Sequence, residues 1–394
     1  MKSDIVIVAA KRTPIGKFGG VLSSLSAAEL GGFAAKAVLR ETPDATFHID
    51  LVIFGHARQA GGGPNTARQI VRLSGLSDQV PAYTVNQACA SGLRAIVSAS
   101  QAVQTGEAQV VLAGGTESMS NTPYLLTGAR WGYRYGHSEV VDGMYKDGFL
   151  CPLCGLVMGE TTEKLVKQEK ISRQDQDIYA VESQRRWKLA NEKGRWFEEI
   201  VPVEVKTNKG NMVVNQDEHP RPDATIESLE KLKPVFSKDG TIHAGNSSGI
   251  TDGAAAIIMT RSDVAKKMGW PVMGLLVEHS TVGVDPSIMG IGPVPAVQKL
   301  LKQTQLHVDD IDLMELNEAF AGQVLACSRK LNFDPSKLNV SGGAIALGHP
   351  IGATGARIVT TLLHEMRLRK LKLGIATLCV SGGMGMAALF ERDY

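Results

Sequence analysis

Four short segments of this chain carry residue types that could do chemistry. Cys89 lies in Asn86-Gln87-Ala88-Cys89-Ala90-Ser91-Gly92, a run of small residues between a strand-like segment and an apolar helix. A thiol at a helix N-terminus meets unpaired N–H groups and a positive partial charge, which favour the nucleophilic thiolate. A cysteine among small residues is also commonly a buried apolar side chain, and taken alone Cys89 reads that way. His349 lies in the glycine-rich run Gly342-Gly343-Ala344-Ile345-Ala346-Leu347-Gly348-His349-Pro350-Ile351-Gly352. A histidine on such a loop is a candidate base near neutral pH, with a hydrogen-bonded structural histidine as the competing reading. The run is not a phosphate loop, because no Lys-Ser/Thr follows its last glycine. Cys379 ends a strand-like run and precedes Val380-Ser381-Gly382-Gly383-Met384-Gly385. The formal Gly-x-Gly-x-x-Ala here has too little chain after it for a dinucleotide-binding unit. In Asn317-Glu318-Ala319-Phe320, Asn317 can cap the following helix and Glu318 can complement its dipole.

A fifth segment, Cys151-Pro152-Leu153-Cys154, has no second cysteine pair or matched histidines beside it, which argues against a zinc site. It reads as two unlinked thiols, with a disulfide as the lesser alternative.

The elements that must position these residues follow from periodicity. Apolar runs predict strands at Ile5–Ala9, Leu51–Gly55, Ala82–Asn86 and Gln109–Ala113. Helical spacing predicts helices at Ser26–Leu39, with Ser26 as N-cap, at Ala67–Leu73 and at Ala90–Gln104. This rhythm implies parallel sheets covered on both faces. Residues 121–244 differ, being charged, turn-rich and home to Trp131, Trp187 and Trp196, and read as an inserted loop-rich subdomain. The α/β rhythm then returns, with strands at Ala254–Met259, Met273–His279, Ile375–Cys379 and Met386–Phe390 and helices at Pro295–Gln303, Ala319–Leu331 and Gly355–Met366. The last third loosely repeats the first: a small-residue turn, an apolar helix, then a strand followed by Gly-Gly. This suggests an internal duplication. The expected segments are 1–120 with 245–270, the insertion 121–244, and 271–394.

Composition narrows the class without naming a function. Hydrophobic residues are 43% and charged residues 21%, enough apolar surface for a large core. Lys plus Arg number 42 against 40 Asp plus Glu, so no basic excess points to nucleic acid or an anionic membrane. No apolar run is long enough to span a bilayer, and neither terminus carries an evident targeting signal. Five cysteines argue against a disulfide framework and for a reducing, cytoplasmic compartment.

Together the four chemical segments resemble the signature blocks of the thiolases. The resemblance continues through Ala9-Ala10-Lys11-Arg12-Thr13-Pro14, Ala113-Gly114-Gly115-Thr116-Glu117-Ser118 and Ala244-Gly245-Asn246-Ser247-Ser248-Gly249, and so covers essentially the whole chain in order. It implies two similar α/β halves stacked into five αβαβα layers, with a loop domain inserted in the first. It implies reversible carbon–carbon bond chemistry on CoA thioesters: two acetyl-CoA give acetoacetyl-CoA and CoA, or a 3-ketoacyl-CoA is cleaved by CoA. Cys89 is then the acylated nucleophile, His349 its base, and Cys379 the acid/base at the α-carbon. One oxyanion site falls to His349 with a water held by Asn317, the other to the backbone N–H groups of Cys89 and Ser381. Positions matching CoA contacts are Arg221, Ser228, Phe236, Ser248, Ala319 and Phe320, with Met158 and Phe320 bordering the acyl group. No metal and no cofactor beyond CoA as substrate is expected, and a homodimer or homotetramer is.

The sequence departs from the family pattern at Ser381 and Ala90, where glycine is frequent, at Val157, where histidine is frequent, and in the Cys151/Cys154 pair. If position 381 needs φ > 0, serine there costs strain of about 1 kcal/mol. Acetyl transfer is the leading reading. A degradative thiolase for longer chains is the alternative within enzymes, and a non-catalytic acyl-CoA-binding scaffold the alternative outside them. The complete catalytic set argues against the scaffold.

Overall fold

The computed structural model describes residues 4–42, 44–208 and 210–393. Residues 1–3 and 394, read above for targeting signals, lie outside the described residues. The first half runs β1 (Ile5–Arg12), β2 (Gly16–Lys17), α1 (Ala27–Glu41), β3 (Leu51–Gly55), α2 (Thr66–Ser74), β4 (Ala82–Val85), α3 (Ser91–Thr105) and β5 (Val110–Ser118). The insertion carries β6 (Tyr124–Leu125), β7 (Val141–Asp142), α4 (Met158–Gln168), α5 (Arg173–Glu192), β8 (Val203–Thr207), β9 (Gly210–Val214) and α6 (Ile226–Glu230). The chain rejoins the first half as β10 (Thr251–Arg261) and α7 (Ser262–Met268). The second half runs β11 (Gly274–Gly283), α8 (Pro293–Thr304), β12 (Leu313–Leu316), α9 (Ala321–Leu331), α10 (Ala344–Leu347), α11 (Ile351–Arg369), β13 (Leu373–Val380) and β14 (Met384–Glu391).

The main sheet has the order β12-β13-β14-β11-β1-β10-β5-β3-β4. Its two halves share one internal order: β1-β10-β5-β3 corresponds to β11-β14-β13-β12, which makes the duplication visible. They meet where β1 pairs β11 through Val6–Leu275 and Ile7–Gly274. The expectation of parallel sheets is corrected. β3–β4, β3–β5 and β12–β13 are parallel, but β1–β10, β10–β5, β11–β14 and β13–β14 are antiparallel. The reason is connectivity: β10 returns beside β5 after the long insertion, and β13 and β14 are joined by a tight turn, neither needing a crossover helix.

Three cores make the layers. Helices α3 and α11 pack on each other and on strands of both halves, in one core that includes Leu93, Ile96, Ile358, Leu362, Ile257 and Leu378. Helices α1 and α2 cover the first half-sheet around Leu30, Val38, Ile70 and Phe54. Helices α8 and α9 cover the second around Val297, Leu300, Val324 and Leu389. The result is the expected αβαβα stack. Ser26 caps α1 in a reciprocal box with Glu29, as its sequence position suggested. Asn317 does not cap α9: the cap position is Phe320, and Asn317 follows directly on the short strand β12, which its four-residue length had hidden. No helix among the described residues is long and apolar enough to cross a membrane.

Candidate active site

Cys89 sits on the turn from β4 into α3. Ala88 beside it takes φ +45°, in the left-handed region that disfavours a side chain. The turn is held by short bonds: Asn86 Oδ1 accepts from the Ala88 N–H at 2.9 Å, and Ser91 Oγ accepts from Gln87 N–H at 2.9 Å while donating to Ala88 O at 2.7 Å. Burial pushes the Cys89 thiol up, against the lowering pull of the Ser381 N–H, the Arg58 charge and its own N–H. The helix N-terminus thus does not leave a preformed thiolate, contrary to the expectation from sequence, because desolvation outweighs it. The two N–H groups expected at an oxyanion site, those of Cys89 and Ser381, both point at this sulfur.

The His349 loop is delivered by the second half. Gly348, with φ +97°, makes a turn that only glycine enters easily, and His349 N–H then donates to Gly249 O at 3.0 Å. His349 Nδ1 lies 2.6 Å from Thr354 Oγ1, which itself donates to Pro350 O at 3.0 Å. Thr354 therefore accepts from Nδ1–H, which leaves the lone pair on Nε2. Nε2 faces the Asn317 side-chain amide at 3.4 Å. The Asn317 Oδ1 atom is buried without a hydrogen-bond partner, a free acceptor beside the imidazole. Burial, with Arg357 and Arg58 nearby, lowers the His349 pKa to about 3, so the ring is neutral.

Cys379 lies near the end of β13, fully buried, and burial followed by the Cys89 charge holds its thiol well above the ordinary range. It packs with Met158, Met289, Ala319, Phe320 and Cys151. Ser381 is unstrained: the left-handed positions are Gly382 (φ +88°) and Gly383 (φ +83°), one and two residues later. The start of α3 presses on the start of α11, where a Cβ on Gly92 would lie 2.6 Å from Ala356 N. That contact brings the Cys89 turn to the His349 loop. Cys151 and Cys154 are free thiols, Cys151 buried in the Cys379 cluster.

The residues expected to hold CoA fall in two connected groups. Arg221 and Ser228 line a cavity of about 390 Å³ together with Gln184, His219, Ala244 and Gly245. Nearer the chemistry, Phe236 meets Phe320 edge to face with centroids 6.2 Å apart, and the Ser248 N–H donates to Ala319 O at 3.0 Å. The chain from Ala244 to Ser248 links the cavity to the acyl side, where Met158 and Phe320 adjoin Cys379.

Several residues gained meaning only in three dimensions. The Glu318 carboxylate accepts from Tyr179 (2.8 Å), Ser183 (2.7 Å), Asn339 (3.0 Å) and the Ile345 N–H (3.0 Å), so it anchors the loop that carries His349. Glu117 accepts from the N–H groups of Ala57, Arg58 and Gly352 and lies 3.1 Å from His56 Nε2, tying the β3–α2 loop to α11. Their acidic type beside glycine-rich blocks was the only signal in the sequence. Arg58 and Thr354 gave none.

Known proteins agree with this architecture. The family model "Thiolase, N-terminal domain" matches residues 5–263, and "Thiolase, C-terminal domain" matches residues 270–392. The chain is 49% identical over 390 residues, 99% of each, to an acetyl-CoA acetyltransferase of Escherichia coli K12. It is 46% identical over 391 residues to one of Pseudomonas aeruginosa, covering 99% of this chain and 100% of that one. Among solved structures, an acetyl-CoA acetyltransferase of Bacillus anthracis superposes with a TM-score of 0.97 at 43% identity, covering 99% of both chains. Human mitochondrial 3-ketoacyl-CoA thiolase in complex with CoA superposes at 0.95 and 43%, covering 100% of this chain and 98% of that one. A duplicated αβαβα fold, two cysteines and a histidine brought together from three signature blocks, and matches along the full chain place this protein in the thiolase family.

Proposed function

We propose that this chain is an acetyl-CoA C-acetyltransferase, converting two acetyl-CoA to acetoacetyl-CoA and CoA and running the reverse thiolysis. The observation that carries the reading is the convergence of Cys89, His349, Asn317 and Cys379 where α3 and α11 meet. In synthesis, Cys89 Sγ attacks the thioester carbonyl as its proton passes to His349 Nε2. The C–S bond to CoA breaks, and the CoA sulfur leaves with the proton of Cys379, which becomes a thiolate while His349 keeps the Cys89 proton. The acetyl group stays on Cys89. The Cys379 thiolate then takes a proton from the α-carbon of a second acetyl-CoA. The resulting carbanion attacks the acetyl carbonyl, the Cys89–acyl bond breaks, and the Cys89 sulfur recovers its proton from His349 Nε2. Negative charge develops on a thioester oxygen in each half, which the N–H groups of Cys89 and Ser381, and the Asn317 amide with the imidazole once His349 Nε2 carries the proton, are suited to meet. The set needs no metal and no cofactor beyond CoA as substrate.

Arg221 is suited to the phosphate end of CoA, while Phe236, Ser248, Ala319 and Phe320 border its thiol arm. Free cysteines at five positions fit a reducing, cytoplasmic setting. The test is thiolysis of acetoacetyl-CoA beside eight- and ten-carbon 3-ketoacyl-CoAs, with radiolabelled acetyl-CoA to trap the intermediate. Label should reside on Cys89 alone. Cys379→Ser should still be labelled yet fail to condense, and His349→Ala should be labelled slowly.

Val157 favours a second reading, a degradative thiolase for longer chains, since a smaller side chain beside Met158 leaves acyl room. Each methylene accommodated is worth roughly 0.8 kcal/mol. Met158 is itself buried against Cys379 and fills the space nearer the acyl terminus, so the four-carbon substrate is expected to win. Val157→His should narrow residual activity on longer chains and spare acetoacetyl-CoA. A wild-type kcat/KM higher for ten carbons than for four would promote the degradative reading.

A further inference from the structure

The run Cys151-Pro152-Leu153-Cys154, which the mechanism does not use, forms the tip of a short hairpin ahead of α4. Leu150 and Val157 pair antiparallel at its base, and the Cys151 N–H donates to Leu156 O at 2.9 Å. At the tip the Gly155 N–H donates back to Cys151 O at 2.9 Å, closing a single turn that the chain leaves through Gly155 at φ +71°. Cys151 is fully buried, Cys154 is half-buried at the rim, and Leu153 beside it is 70% exposed. Both cysteines pack in the cluster that holds Cys379, Met158, Met289 and Phe320. The Cys154 thiol is hydrogen-bonded to that of Cys151.

Two thiols in contact, one reachable from solvent and one behind it, are arranged for disulfide exchange. In a single turn, residues three apart lie about 5–6 Å apart at Cβ, whereas a disulfide holds them at about 3.5–4.5 Å. Closing the pair therefore draws the tip inward by roughly 1 Å. Burial, and with it the Cys151 thiol, pushes the Cys154 thiol up against the pull of the Leu156 N–H. The Cys154 thiolate is not stabilised, so the reduced pair lacks what makes a dithiol resist oxidation. The hairpin also borders the chemistry. Leu153 Cδ1 lies 3.9 Å from where a Cβ on Gly382 would be, in the turn that presents the Ser381 N–H to Cys89.

We infer that Cys151 and Cys154 are a redox-modification site, whose oxidation to a disulfide by a low-molecular-weight disulfide displaces the hairpin tip and lowers turnover. The effect on turnover rests on the proposed thiolase activity. The Cys154 sulfur, as its thiolate, attacks one sulfur of the small disulfide, whose S–S bond breaks to release one thiolate. Cys151 then attacks the Cys154 sulfur, the mixed S–S bond breaks, and the second small thiolate leaves. The two cysteine protons end on the two released thiols. The protein loses two electrons and the small disulfide gains them. Exposure sets the order of attack, because Cys151 cannot be reached before Cys154. The disulfide shifts Cys151 within the Cys379 cluster and Leu153 against the Ser381 turn, and small misplacements of that kind weaken catalysis.

The experiment incubates the full-length enzyme with glutathione disulfide, alkylates it with N-ethylmaleimide in urea, and maps tryptic peptides without reduction. Trypsin cuts after Lys146 and Lys164, so residues 147–164 carry both cysteines, apart from the peptides of Cys89 and Cys379. After oxidation this peptide should be unalkylated and lighter by two hydrogen atoms, with Cys89 and Cys379 still alkylated. Acetoacetyl-CoA thiolysis should fall by about ten- to a hundredfold, and dithiothreitol should restore both the alkylation and the activity. Cys154→Ser should keep its basal activity and retain it in the oxidant. Alkylation of Cys151 and Cys154 after oxidation overturns the inference, as does a disulfide joining this peptide to that of Cys89 or Cys379. A mapped Cys151–Cys154 disulfide with thiolysis unchanged overturns it too, and so does an equal loss of activity in Cys154→Ser, which places the oxidation elsewhere. The reduced wild type tests the function separately: without acetoacetyl-CoA thiolysis the proposed function falls, and the peptide map alone then decides the pair.

Discussion

In the proposed mechanism Cys89 and His349 meet as a neutral thiol and a neutral imidazole, because burial works against charge on both. Proton transfer then accompanies attack on the thioester instead of preceding it. Alkylation of the free enzyme's Cys89 by iodoacetamide should therefore rise about tenfold per pH unit from pH 7 toward 9, as for a thiol still protonated. A rate flat across that range would mean a preformed thiolate. The same imidazole affects stability. The unfolded chain takes up a proton near pH 6.5, while folded His349 refuses it until about 3. Between these values the unfolded state binds more protons, so stability falls as pH drops, by up to about 1.4 kcal/mol per unit for one group. His219 and His364 are lowered by burial too and add to the slope. The urea midpoint of His349→Asn should thus lose less than the wild type between pH 7 and pH 5. The residues legible in the sequence, Cys89, Asn317, His349 and Cys379, are those whose glycine-rich or small neighbours form readable blocks. Thr354 was not, since an ordinary helix threonine acquires its role only from an imidazole placed against it by the fold. Ser381 had raised a question of strain that backbone angles answer: the left-handed turn falls on Gly382.

At the scale of elements, the site depends on how closely α3 and α11 approach. Gly92 on α3 faces Ala356 N at 2.6 Å and Gly352 O at 3.1 Å from its would-be Cβ, and Gly355 meets Leu93 in return. The obstacles are backbone atoms, which cannot rotate away. Gly92→Ala should destabilise by about 1–3 kcal/mol or more despite alanine's better helix propensity, and should lower activity by separating Cys89 from His349. Urea unfolding with an acetoacetyl-CoA assay reads both, and a Gly92→Ala enzyme of unchanged stability would refute the close crossing. Elements of long, buried periodicity were readable from the chain: Leu51–Gly55 is a strand with the expected ends, and Ser26 caps its helix. Strand direction was not. Local sequence determines that a segment is extended, but pairing partners come from connections such as the return of β10 after the insertion, which no window of residues contains. The anchoring of α10 by Glu318 was hidden for the same reason, because its donors Tyr179 and Ser183 belong to the inserted helix α5.

For the molecule as a whole, the two ends of the sheet differ. The outer edge of β12 is covered: Asn339 accepts from the Leu316 N–H and donates to Leu316 O, each at 2.8 Å, and its own N–H donates to Met314 O at 3.0 Å. At the other end, no strand among the described residues pairs with the outer edge of β4, where Tyr83 is 37% exposed. An open strand edge invites another strand, and a two-fold axis lets β4 meet a second β4 with one patch serving both chains. The duplication explains why only one end is left open: the halves share an order of strands, but β4 is an extra strand on the first half alone. This edge leads directly into Asn86 and Cys89, so pairing across it would stiffen the nucleophile turn, in which Ala88 already holds a left-handed angle. The protein should therefore be a homo-oligomer at micromolar concentration, dimeric through β4. Tyr83→Lys places a charge on the edge and should shift sedimentation toward the monomer, weakening association by at least about tenfold. Specific activity should fall with dilution in parallel, because the turn loses its support. A wild type that sediments as a monomer at these concentrations, or a Tyr83→Lys dimer indistinguishable from it in association and activity, would show that β4 is not the joining edge.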